Sequence, residues 1–489
     1  MKLRYLLNGV KAKPAGKIPD FEIKEIVIDS KKARPGSLFV AIKGASRNGH
    51  DFVREAVKKG AASAVVEKTP RLKGIPYILV EDTKHALAVM ASNFYGNPSD
   101  KLNIIGITGT NGKTTTAFLS ESIFRKAKRK CGVIGTVAYK TGRRFLAAER
   151  TTPDALGLNM LLAEMVKSGT DNAVMEVSSH ALHQKRVENI KFKTAVFTNL
   201  SHEHLDYHGN INQYFLSKSR LFELLRKGGE AVVNADDPMA RRLAKRIKGR
   251  LLSFGIKKNA AVRARKIHSG LGGSRFEIRT EKRKRIRVET PLIGTHNIYN
   301  ILAAAAACFA NGIGEKDIKA GIEAVRRVPG RLESVKCRGG VNLFVDYAHT
   351  DNALLNVLGF LSKMKKRKII TVFGAGGERD TAKRPLMGRA VERFSDFFII
   401  TNDNPRGEDP EKIARDIEKG LAKGRKNYRV ILDRKLAIKN ALEKAKKDDI
   451  VLLAGKGHEA YQVIGRRKIP FDDKKIARGV LEKYPGHID

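Results

Sequence analysis

Residues 104–116, which read IIGITGTNGKTTT, predict a buried strand, a glycine-containing turn and the start of a helix. The apolar first half gives the strand, and a helical pattern continues through residues 117–128. In this order, backbone N–H groups of the turn and the positive end of the helix can hold phosphate groups. Lys113 would neutralise the terminal phosphates, and the hydroxyl of Thr114 or Thr115 is placed to bind Mg²⁺. The stretch therefore predicts a nucleoside triphosphate site.

The turn departs from the strict phosphate-loop pattern at one position. That pattern has a glycine five residues before Gly112, where this chain has Ile107. Gly109 and Gly112 therefore make the turn, with Thr110 and Asn111 between them. An ordinary strand-to-helix turn is the alternative interpretation, but the Lys-Thr-Thr run directly after a glycine favours phosphate binding.

Length and composition indicate a folded protein of several domains. The 489 residues leave room for about three domains, and the 42% hydrophobic content is enough for several cores. No apolar run reaches the roughly 18 residues of a membrane span, and the N-terminus lacks the apolar stretch of a signal peptide. Three widely separated cysteines exclude a cysteine-built zinc site and indicate a reducing compartment. We expect a cytoplasmic protein without a membrane span.

The net charge of +44 is the unusual feature of the composition. On charge alone it favours a nucleic acid or an anionic membrane as partner. The basic residues are spread along the whole chain, however, and the sequence has no Trp and no basic segment interleaved with aromatic residues. We expect no specific nucleic-acid partner. A basic nucleic-acid-binding ATPase is the alternative from another functional class.

Turn-forming clusters at residues 96–99 and 328–331 divide the chain into three predicted α/β domains. These are residues 1–99, 100–330 and 331–489. Candidate strands lie at 27–29, 37–41 and 61–66, then at 103–107, 131–134, 173–177, 195–199 and 231–234, and finally at 342–346, 368–373, 397–401, 428–432 and 449–454. Strands that alternate with helices predict mostly parallel sheets covered by helices on both faces.

Polar residues follow several of these strands, where ligands of parallel sheets bind. Glu176 is one of them, and a carboxylate there suits Mg²⁺ better than zinc. The histidines of residues 202–208 raise a zinc alternative, but their HxH spacing is weak for a helix-borne zinc site and no HExxH is present. Lys218 follows Tyr214 by one helical turn. Taken alone, Lys218 is expected to be a solvated surface lysine.

Together these segments resemble the Mur ligase family, the ATP-dependent amide-bond ligases of peptidoglycan synthesis. The matching segments are GTNGKTT at 109–115, EVSSH at 176–180, NL at 199–200, HLDYHG at 204–209, Tyr214 with Lys218, NADD at 234–237, GTHNIYN at 294–300, GRLE at 330–333 and VDYAHT at 345–350. The resemblance covers essentially the full length. It implies a central P-loop parallel-sheet ATPase domain between a small N-terminal α/β UDP-binding domain and a C-terminal Rossmann-like domain that binds an amino acid.

The resemblance implies an ATP site, two Mg²⁺ ions and a carbamylated lysine. The ATP-binding residues would be Gly109, Thr110, Asn111, Gly112, Lys113, Thr114, Thr115, Asn297, Arg331, Asp346 and His349. Thr114 and Glu176 would hold one Mg²⁺, and Glu176, His204 and the carbamate of Lys218 the other. Lys113, Glu176, His204 and Lys218 would form the catalytic set. Two metal ions would let the γ-phosphate of ATP meet a substrate carboxylate, and the resulting acyl phosphate would be attacked by an amine.

The resemblance also implies the other substrates. UDP-MurNAc-L-Ala-D-Glu would be bound by Ser30, Thr151, Thr152, Ser178, Gln184 and Arg186. The incoming amino acid would be bound by Arg379, Asp403, Asn404, Pro405, Arg406, Gly455 and Glu459. The DNPR sequence at 403–406 matches family members that add meso-diaminopimelate, whose distal end carries a carboxylate for Arg406 and an ammonium for Glu459.

Two alternatives within this chemistry stay open. The first is the same reaction with L-lysine, although lysine has no distal carboxylate and would leave a buried Arg406 unpaired. The second is a ligase similar to folylpolyglutamate synthetase. Two positions depart from the family pattern while keeping their charge: Lys31 stands where the family usually has Arg, and Glu203 where it has Asp. We expect the chain to act as a monomer.

Overall fold

The computed structural model describes residues 1–14, 21–44, 47–69, 76–142, 144–281, 285–337 and 339–483. The chain forms three α/β domains, each built on its own sheet, which confirms the predicted fold class. None of the helices in these ranges has the length and apolar character needed to cross a membrane. The domain limits at residues 99 and 330 stay a prediction.

The N-terminal domain has a sheet whose described strands run in the order β1-β5-β4-β3-β2. They are β1 (Ala12–Pro14), β2 (Glu25–Val27), β3 (Ser37–Val40), β4 (Ser63–Val66) and β5 (Tyr77–Val80), with helices α1 (Leu3–Leu6), α2 (Val53–Lys58) and α3 (Thr83–Phe94). The strand predicted at 27–29 is shifted, because Asp29 caps a short 3₁₀ helix. Its side chain accepts a hydrogen bond from the backbone N–H of Lys31 at 3.0 Å and ends the extended segment.

The central domain has the largest sheet of the described chain, in the order β16-β15-β14-β13-β12-β11-β6-β10-β7-β8-β9. Its strands are β6 (Asn103–Thr108), β7 (Cys131–Ile134), β8 (Ala138–Thr141), β9 (Arg144–Ala147), β10 (Asn172–Glu176), β11 (Phe192–Phe197), β12 (Leu225–Asn234), β13 (Arg250–Gly255), β14 (Val262–Gly270), β15 (Gly273–Thr280) and β16 (Arg285–Thr290). Its helices are α4 (Lys113–Lys126), α5 (Ala155–Lys167), α6 (Ser179–His183), α7 (Leu205–His208), α8 (Ile211–Glu223), α9 (Ala240–Ala244), α10 (Thr295–Ala310) and α11 (Glu315–Ala324).

Helices cover both faces of this sheet, as predicted. Successive strand residues point to opposite faces, so Ile105 and Ile107 of β6 pack in one core with residues of α4, α10 and α11. Ile104 packs on the other face with residues of α5 and α8. The seven adjacent strands in the middle of the sheet are parallel, in the order β14-β13-β12-β11-β6-β10-β7. Their carboxyl ends therefore share one edge, where β6 leads into α4.

The two outer parts of the central sheet are antiparallel and were not predicted. β8 and β9 extend one side, and β15 and β16 extend the other beyond β14. In β16, buried Ile286 and Val288 alternate with exposed Arg285 and Arg287. This alternation is a strand signal, but the many charged residues in the segment obscure it.

The C-terminal domain has a sheet in the order β17-β18-β22-β19-β20-β21, in which the pair β17–β18 is antiparallel and the other pairs are parallel. The strands are β17 (Glu333–Val335), β18 (Asn342–Asp346), β19 (Ile369–Phe373), β20 (Phe397–Ile400), β21 (Tyr428–Val430) and β22 (Ile450–Ala454), followed by a hairpin of β23 (Tyr461–Ile464) and β24 (Arg467–Pro470). The helices are α12 (Asp351–Met364), α13 (Lys383–Phe394), α14 (Pro410–Glu418), α15 (Arg434–Lys444) and α16 (Asp473–Lys483).

Candidate active site

A cleft of about 950 Å³ lies between the central and C-terminal domains and contains most of the predicted site residues. Those that line it are Thr110, Asn111, Gly112, Lys113, Thr114, Thr115, Thr151, Thr152, Glu176, Ser178, Arg186, His204, Asn297, Arg331, Asp346, His349, Arg379, Asp403, Asn404, Arg406, Gly455 and Glu459. Its lining does not include Ser30, Gly109, Gln184, Lys218 or Pro405. The structure therefore brings the predicted phosphate, metal and amino-acid residues to one cavity.

The phosphate loop folds tightly around its own lysine. Lys113 donates from Nζ to the carbonyl oxygens of Gly109 at 2.8 Å and Thr110 at 2.9 Å. Burial lowers the pKa of Lys113, and the charges of Glu203 and Glu176 oppose that shift. The ammonium is thus held inside the loop, where a phosphate would be its natural counter-charge.

Both glycines of the loop are required by close contacts. Gly109 has φ +145°, and a Cβ at this position would collide with Oγ1 of Thr198. Gly112 has φ +90°, and a Cβ there would collide with Oδ1 of Asn300. The side chain of Asn199 holds the tip of the loop, because its Oδ1 accepts from the backbone N–H of Asn111 at 2.9 Å. The backbone path predicted from the glycines is therefore enforced from two neighbouring segments.

Glu176 ends β10 with its carboxylate buried beneath the phosphate loop. Oε2 accepts hydrogen bonds from the hydroxyls of Thr114 at 2.9 Å and Thr136 at 3.0 Å, and Oε1 accepts from the backbone N–H of Thr136 at 2.8 Å. The oxygens of Thr114 and Glu176 are the hard donors that Mg²⁺ prefers. Across the described ranges, no group of three or more His, Cys, Asp and Glu side chains is arranged to hold a metal. The hydroxyl of Thr114 would be a second oxygen ligand for a metal ion bound at Glu176.

Lys218 is a buried residue, so its interpretation as a solvated surface lysine is wrong. Its side chain is 2% exposed, Nζ donates to the carbonyl oxygen of Gly109 at 2.8 Å, and Nζ lies 4.4 Å from the centre of the Tyr214 ring. Burial holds the pKa of Lys218 well below its ordinary value, the charge of Lys113 adds to this, and Glu203 opposes it. A lowered pKa favours the uncharged amine, which is the form that can react with carbon dioxide.

Two histidines, His180 and His204, lie near Lys218. His204 has a left-handed backbone with φ 57°, and its ring meets that of His180 edge-on with centroids 4.8 Å apart. Burial lowers the pKa of His204 to about 3, and nearby Lys218 contributes to the decrease. Burial likewise lowers the pKa of His180 to about 4. Both imidazoles are therefore neutral near pH 7, as ligation of a metal requires.

Glu203 is a central residue of the cleft that the sequence analysis noted only as a departure from the family pattern. Its Oε1 lies 3.4 Å from Nε2 of His349 and 3.7 Å from Nε2 of His204. Burial opposes ionisation, but the hydrogen bond with His349 and the charge of Lys113 hold the pKa of Glu203 well below its ordinary value. Its place directly before His204 in the chain was the signal that could have identified Glu203 as a site residue.

The C-terminal domain reaches the phosphate loop through Arg331. Nη2 of Arg331 donates to Oγ1 of Thr114 at 3.1 Å, and the guanidinium stacks 4.7 Å from the Tyr347 ring centre. Asp346 supports this arrangement from below, because Oδ1 accepts from the backbone N–H of Ala348 at 2.8 Å and Oδ2 accepts from that of Leu332. Burial raises the pKa of Asp346, with Arg331 opposing the shift.

Asn297, at the start of α10, is the predicted ATP residue on the far side of the loop. It lines the cleft, yet its Nδ2 donates to the carbonyl oxygen of Ile293 at 2.8 Å and its Oδ1 accepts from Asn300 at 3.2 Å. These bonds hold the first turn of α10 against Gly112, since Asn300 is also the side chain that limits space there. Asn297 thus supports the phosphate loop indirectly, by holding Asn300.

The residues predicted for the sugar nucleotide fall into two places. Thr152 donates to the carbonyl oxygen of Glu176 at 2.8 Å, and Arg186 donates from Nη1 to the carbonyl oxygen of Thr152 at 3.0 Å. Ser178 caps α6 by accepting from the backbone N–H of Ala181 at 3.2 Å, which is the ordinary role of such a serine.

Three other members of this set lie around or away from that group. Thr151 lies with its hydroxyl 3.1 Å from that of Thr136, and Gln184 accepts from Nε of Arg186 at 3.0 Å. Ser30 lies in the N-terminal domain, outside the cleft, and donates to Glu55 at 2.8 Å. Ser30 and Gln184 are therefore the predicted sugar-nucleotide residues that do not line the cleft.

The residues predicted for the incoming amino acid lie after the carboxyl ends of β19, β20 and β22. Arg406 has a left-handed backbone with φ 54°, and its Nη1 donates to the carbonyl oxygen of Gly377 at 2.7 Å. Asn404 lines the cleft, but its Oδ1 accepts from the backbone N–H of Val463 at 2.9 Å and its Nδ2 donates to Oε2 of Glu459 at 2.9 Å. Asn404 thus fixes its neighbours, while Arg406 and Glu459 present charges to the cavity.

The chain matches three known domains in order: "Mur ligase family, catalytic domain" at residues 22–95, "Mur ligase middle domain" at 107–308 and "Mur ligase, glutamate ligase domain" at 330–457. It is 42% identical over 489 residues to the UDP-N-acetylmuramoyl-L-alanyl-D-glutamate--2,6-diaminopimelate ligase of Geobacillus thermodenitrificans (strain NG80-2), covering 99% of this chain and 100% of the relative. Identity to the enzyme of that name from Clostridioides difficile (strain 630) is 40% over 486 residues, covering 99% and 100%.

Two solved structures of Mur ligases share the fold of this chain. A structure of a UDP-N-acetylmuramoyl-L-alanyl-D-glutamate--2,6-diaminopimelate ligase matches with a TM-score of 0.68 and 31% identity, covering 97% of this chain and 98% of that one. A MurF ligase from Thermotoga maritima in complex with ADP matches with a TM-score of 0.65 and 21% identity, covering 95% and 99%. Because its three domains and full-length relatives agree with the geometry of the cleft, the chain belongs to the Mur ligase family.

Proposed function

We propose that this chain joins meso-diaminopimelate to the D-glutamate side-chain carboxylate of UDP-MurNAc-L-Ala-D-Glu, with conversion of ATP to ADP and phosphate. The observation that carries the proposal is the shared cleft, in which the phosphate loop faces a charged amino-acid site. Arg406 and Glu459 line the same cavity as Lys113 and Glu176. An ATP-dependent ligase needs this proximity, because the activated carboxyl group and the amine must meet away from water.

The phosphate loop and the metal-binding residues would activate the carboxylate. Lys113 and the loop N–H groups bind the phosphates of ATP. Arg331, from the C-terminal domain, donates to the hydroxyl of Thr114 in the same loop. Thr114 and Glu176 would hold one Mg²⁺, and Glu176, His204 and a carbamate on Lys218 would hold a second. Bound Mg²⁺ supplies positive charge that reduces the repulsion between the γ-phosphate and the substrate carboxylate. The substrate carboxylate takes the γ-phosphoryl group of ATP, which gives an acyl phosphate and releases ADP. The amine then attacks the carbonyl carbon, loses a proton and displaces phosphate, so no protein nucleophile is required.

The amino-acid site favours a ligand with two distal charges. The guanidinium of Arg406 can bind a carboxylate through two parallel hydrogen bonds, and Glu459 can accept an ammonium. Arg379 lines the cleft as a second cation for carboxylates. L-Lysine has no distal carboxylate and would leave Arg406 without its partner. We therefore assign the amine substrate as meso-diaminopimelate.

The sugar nucleotide would extend from the cleft toward the N-terminal domain. Thr151, Thr152 and Arg186 are accessible from the cleft, whereas Ser30 would meet the far, UDP end. ATP and nucleotide sugars are the substrates of a cytoplasmic biosynthetic enzyme, and we propose that location. We also propose that the chain acts as a monomer, because every predicted catalytic residue comes from one copy.

The test is a product assay with ATP, UDP-MurNAc-L-Ala-D-Glu and one amine at a time. The proposal expects ADP release and a tripeptide product by mass spectrometry with meso-diaminopimelate, and little product with L-lysine. Strong turnover with lysine and none with diaminopimelate would overturn the assigned amine. No product with either amine, and no stimulation of ATP cleavage by the two substrates together, would overturn the assigned reaction.

A further inference from the structure

Lys456 is a fully buried lysine directly beneath the predicted amino-acid site. It follows β22 in the segment GKGHE, and its side chain is 0% exposed. Nζ donates to Oε2 of Glu459 at 3.0 Å and to Oδ1 of Asn404 at 3.1 Å, and it lies 3.8 Å from Oδ1 of Asp403. One ammonium thus contacts three residues of the predicted amino-acid site.

We infer that Lys456 is a positioning residue that presents Glu459 to the distal ammonium of the incoming amino acid. The inference rests on the proposed function. Oε2 of Glu459 is held by both Lys456 and Asn404, whereas Oε1 has a longer contact of 3.4 Å with the hydroxyl of Tyr347. Holding one oxygen fixes the carboxylate plane and leaves the other oxygen for the ligand.

The charges around Lys456 leave room for one further cation. Lys456 is the ammonium between two carboxylates, those of Asp403 and Glu459. The neighbouring pair of Arg434 and Asp473 is 0% exposed on both sides and is already balanced, with Nη2 of Arg434 2.7 Å from Oδ2 of Asp473. The charge of Asp403 also acts on the buried ammonium of Lys383. Lys456 holds Glu459 through Oε2, so a ligand ammonium would pair with Oε1, and buried charges are tolerated best when they are paired.

The loops that carry these groups are locked to each other, so Lys456 acts on a fixed frame. Arg434 donates from Nη2 to the carbonyl oxygen of Ala454 at 2.9 Å and from Nη1 to that of Asn402 at 3.4 Å. These carbonyls immediately precede the segments that begin at Gly455 and Asp403. A Cβ on Gly455, which has φ +112°, would lie 2.5 Å from Oδ2 of Asp403. The orientation of the Glu459 carboxylate is then set chiefly by the Lys456 and Asn404 side chains.

The test compares two amine substrates that differ only in the distal ammonium. meso-Diaminopimelate has it, and 2-aminopimelate lacks it while keeping the distal carboxylate. In the unmodified enzyme we expect the KM for 2-aminopimelate to exceed that for diaminopimelate at least tenfold. In Lys456→Met we expect the KM for diaminopimelate to rise at least tenfold, the KM for 2-aminopimelate to change less than twofold, and their ratio to fall toward one. The KM for ATP should change less than twofold.

A merely structural role would raise both KM values together, and that result, or an unchanged ratio, overturns the inference. Lys456→Arg keeps the charge and should recover part of the ratio. Lys365→Met is the control, because it removes an ion pair with Asp396 in the same domain and should leave the ratio unchanged. If Lys456→Met does not fold by thermal melting, Lys456→Gln carries the same comparison. If the proposed function itself is wrong, the result is different, because the unmodified enzyme then makes no product from diaminopimelate.

Discussion

Arg331 and Thr114 join the C-terminal domain to the phosphate loop through a hydrogen bond of 3.1 Å from Nη2 to Oγ1. The same threonine hydroxyl donates to Oε2 of Glu176 at 2.9 Å. One short chain of contacts therefore runs from the C-terminal domain to the carboxylate predicted to bind metal. We expect closure of the C-terminal domain to complete the ATP site through this contact.

We expect Arg331→Ala to lower kcat by about 100-fold and to raise the KM for ATP, because small misplacements of reacting groups cost about that much. The measurement is steady-state ADP release with saturating amine. Arg327→Ala is the matched control, since Arg327 lies close by in sequence but its side chain is 68% exposed. Unchanged kinetics in Arg331→Ala would show that this contact plays no part in closure.

We expect Lys218→Ala to lose nearly all ligase activity while the protein stays folded. The lowered pKa and burial of Lys218 favour the neutral amine that carbon dioxide modifies. Short carboxylic acids should restore part of the activity by substituting for the carbamate, and the assay is tripeptide formation with and without them. Lys191→Ala, an exposed lysine paired with Asp100, is the control. Full activity in Lys218→Ala would rule out the carbamate.

We expect Arg406→Ala to raise the KM for meso-diaminopimelate at least tenfold and to leave the KM for ATP nearly unchanged. The reason is that a charge-assisted bidentate pair is lost at the amine end only. Arg406→Lys should recover little, because an ammonium cannot reproduce the planar pair of donors. Equal KM values for diaminopimelate before and after the alanine substitution would refute the assignment of Arg406.

The features that sequence predicts well are local ones. The phosphate loop depends on glycines and a helix start within residues 104–116, so its path follows from chemistry that lies close together in the chain. Glu176 was found because it ends a strongly apolar strand. The segment at 403–406 was assigned from its resemblance to a family motif. In each case the signal and the structural feature occupy the same short segment.

The features that sequence missed depend on distant neighbours. Thr136 meets Glu176 only because β7 pairs with β10, and nothing around Thr136 in the chain announces that contact. A lysine taken alone is expected on the surface, and nothing near Lys218 in the chain indicates its hydrogen bond to the carbonyl oxygen of Gly109 in another segment. Asn404 stays a predicted substrate contact, but its hydrogen bond from the backbone N–H of Val463 in the later hairpin could not be predicted from its own segment. Only the tertiary arrangement decides these cases.

Arg384 is the fully buried centre of an ion cluster behind the amino-acid site. Its guanidinium donates to both oxygens of Glu408 at 2.7 Å and to Asp416 at 3.0 Å. The hydrogen bond from Arg384 lowers the pKa of Glu408 from 4.5 to about 2. Lys419 first and Arg384 next lower the pKa of Asp416 from 3.8 to about 2. Both carboxylates are therefore ionised more readily in the folded protein than in the unfolded chain.

We expect Arg384→Met to lower the free energy of unfolding by about 3 kcal/mol at pH 7, because it removes the buried guanidinium and leaves Glu408 and Asp416 only the exposed lysines Lys412 and Lys419 as ion-pair partners. A carboxylate with a depressed pKa stabilises the fold above its ordinary pKa, and that stability is lost as the pH falls from about 4.5 toward about 2. Urea unfolding should therefore show a smaller difference between the two proteins near pH 3. Arg415→Met, whose side chain is 59% exposed, should change stability little at either pH. A difference that stays constant with pH would show that Arg384 stabilises the domain by packing rather than by its charge.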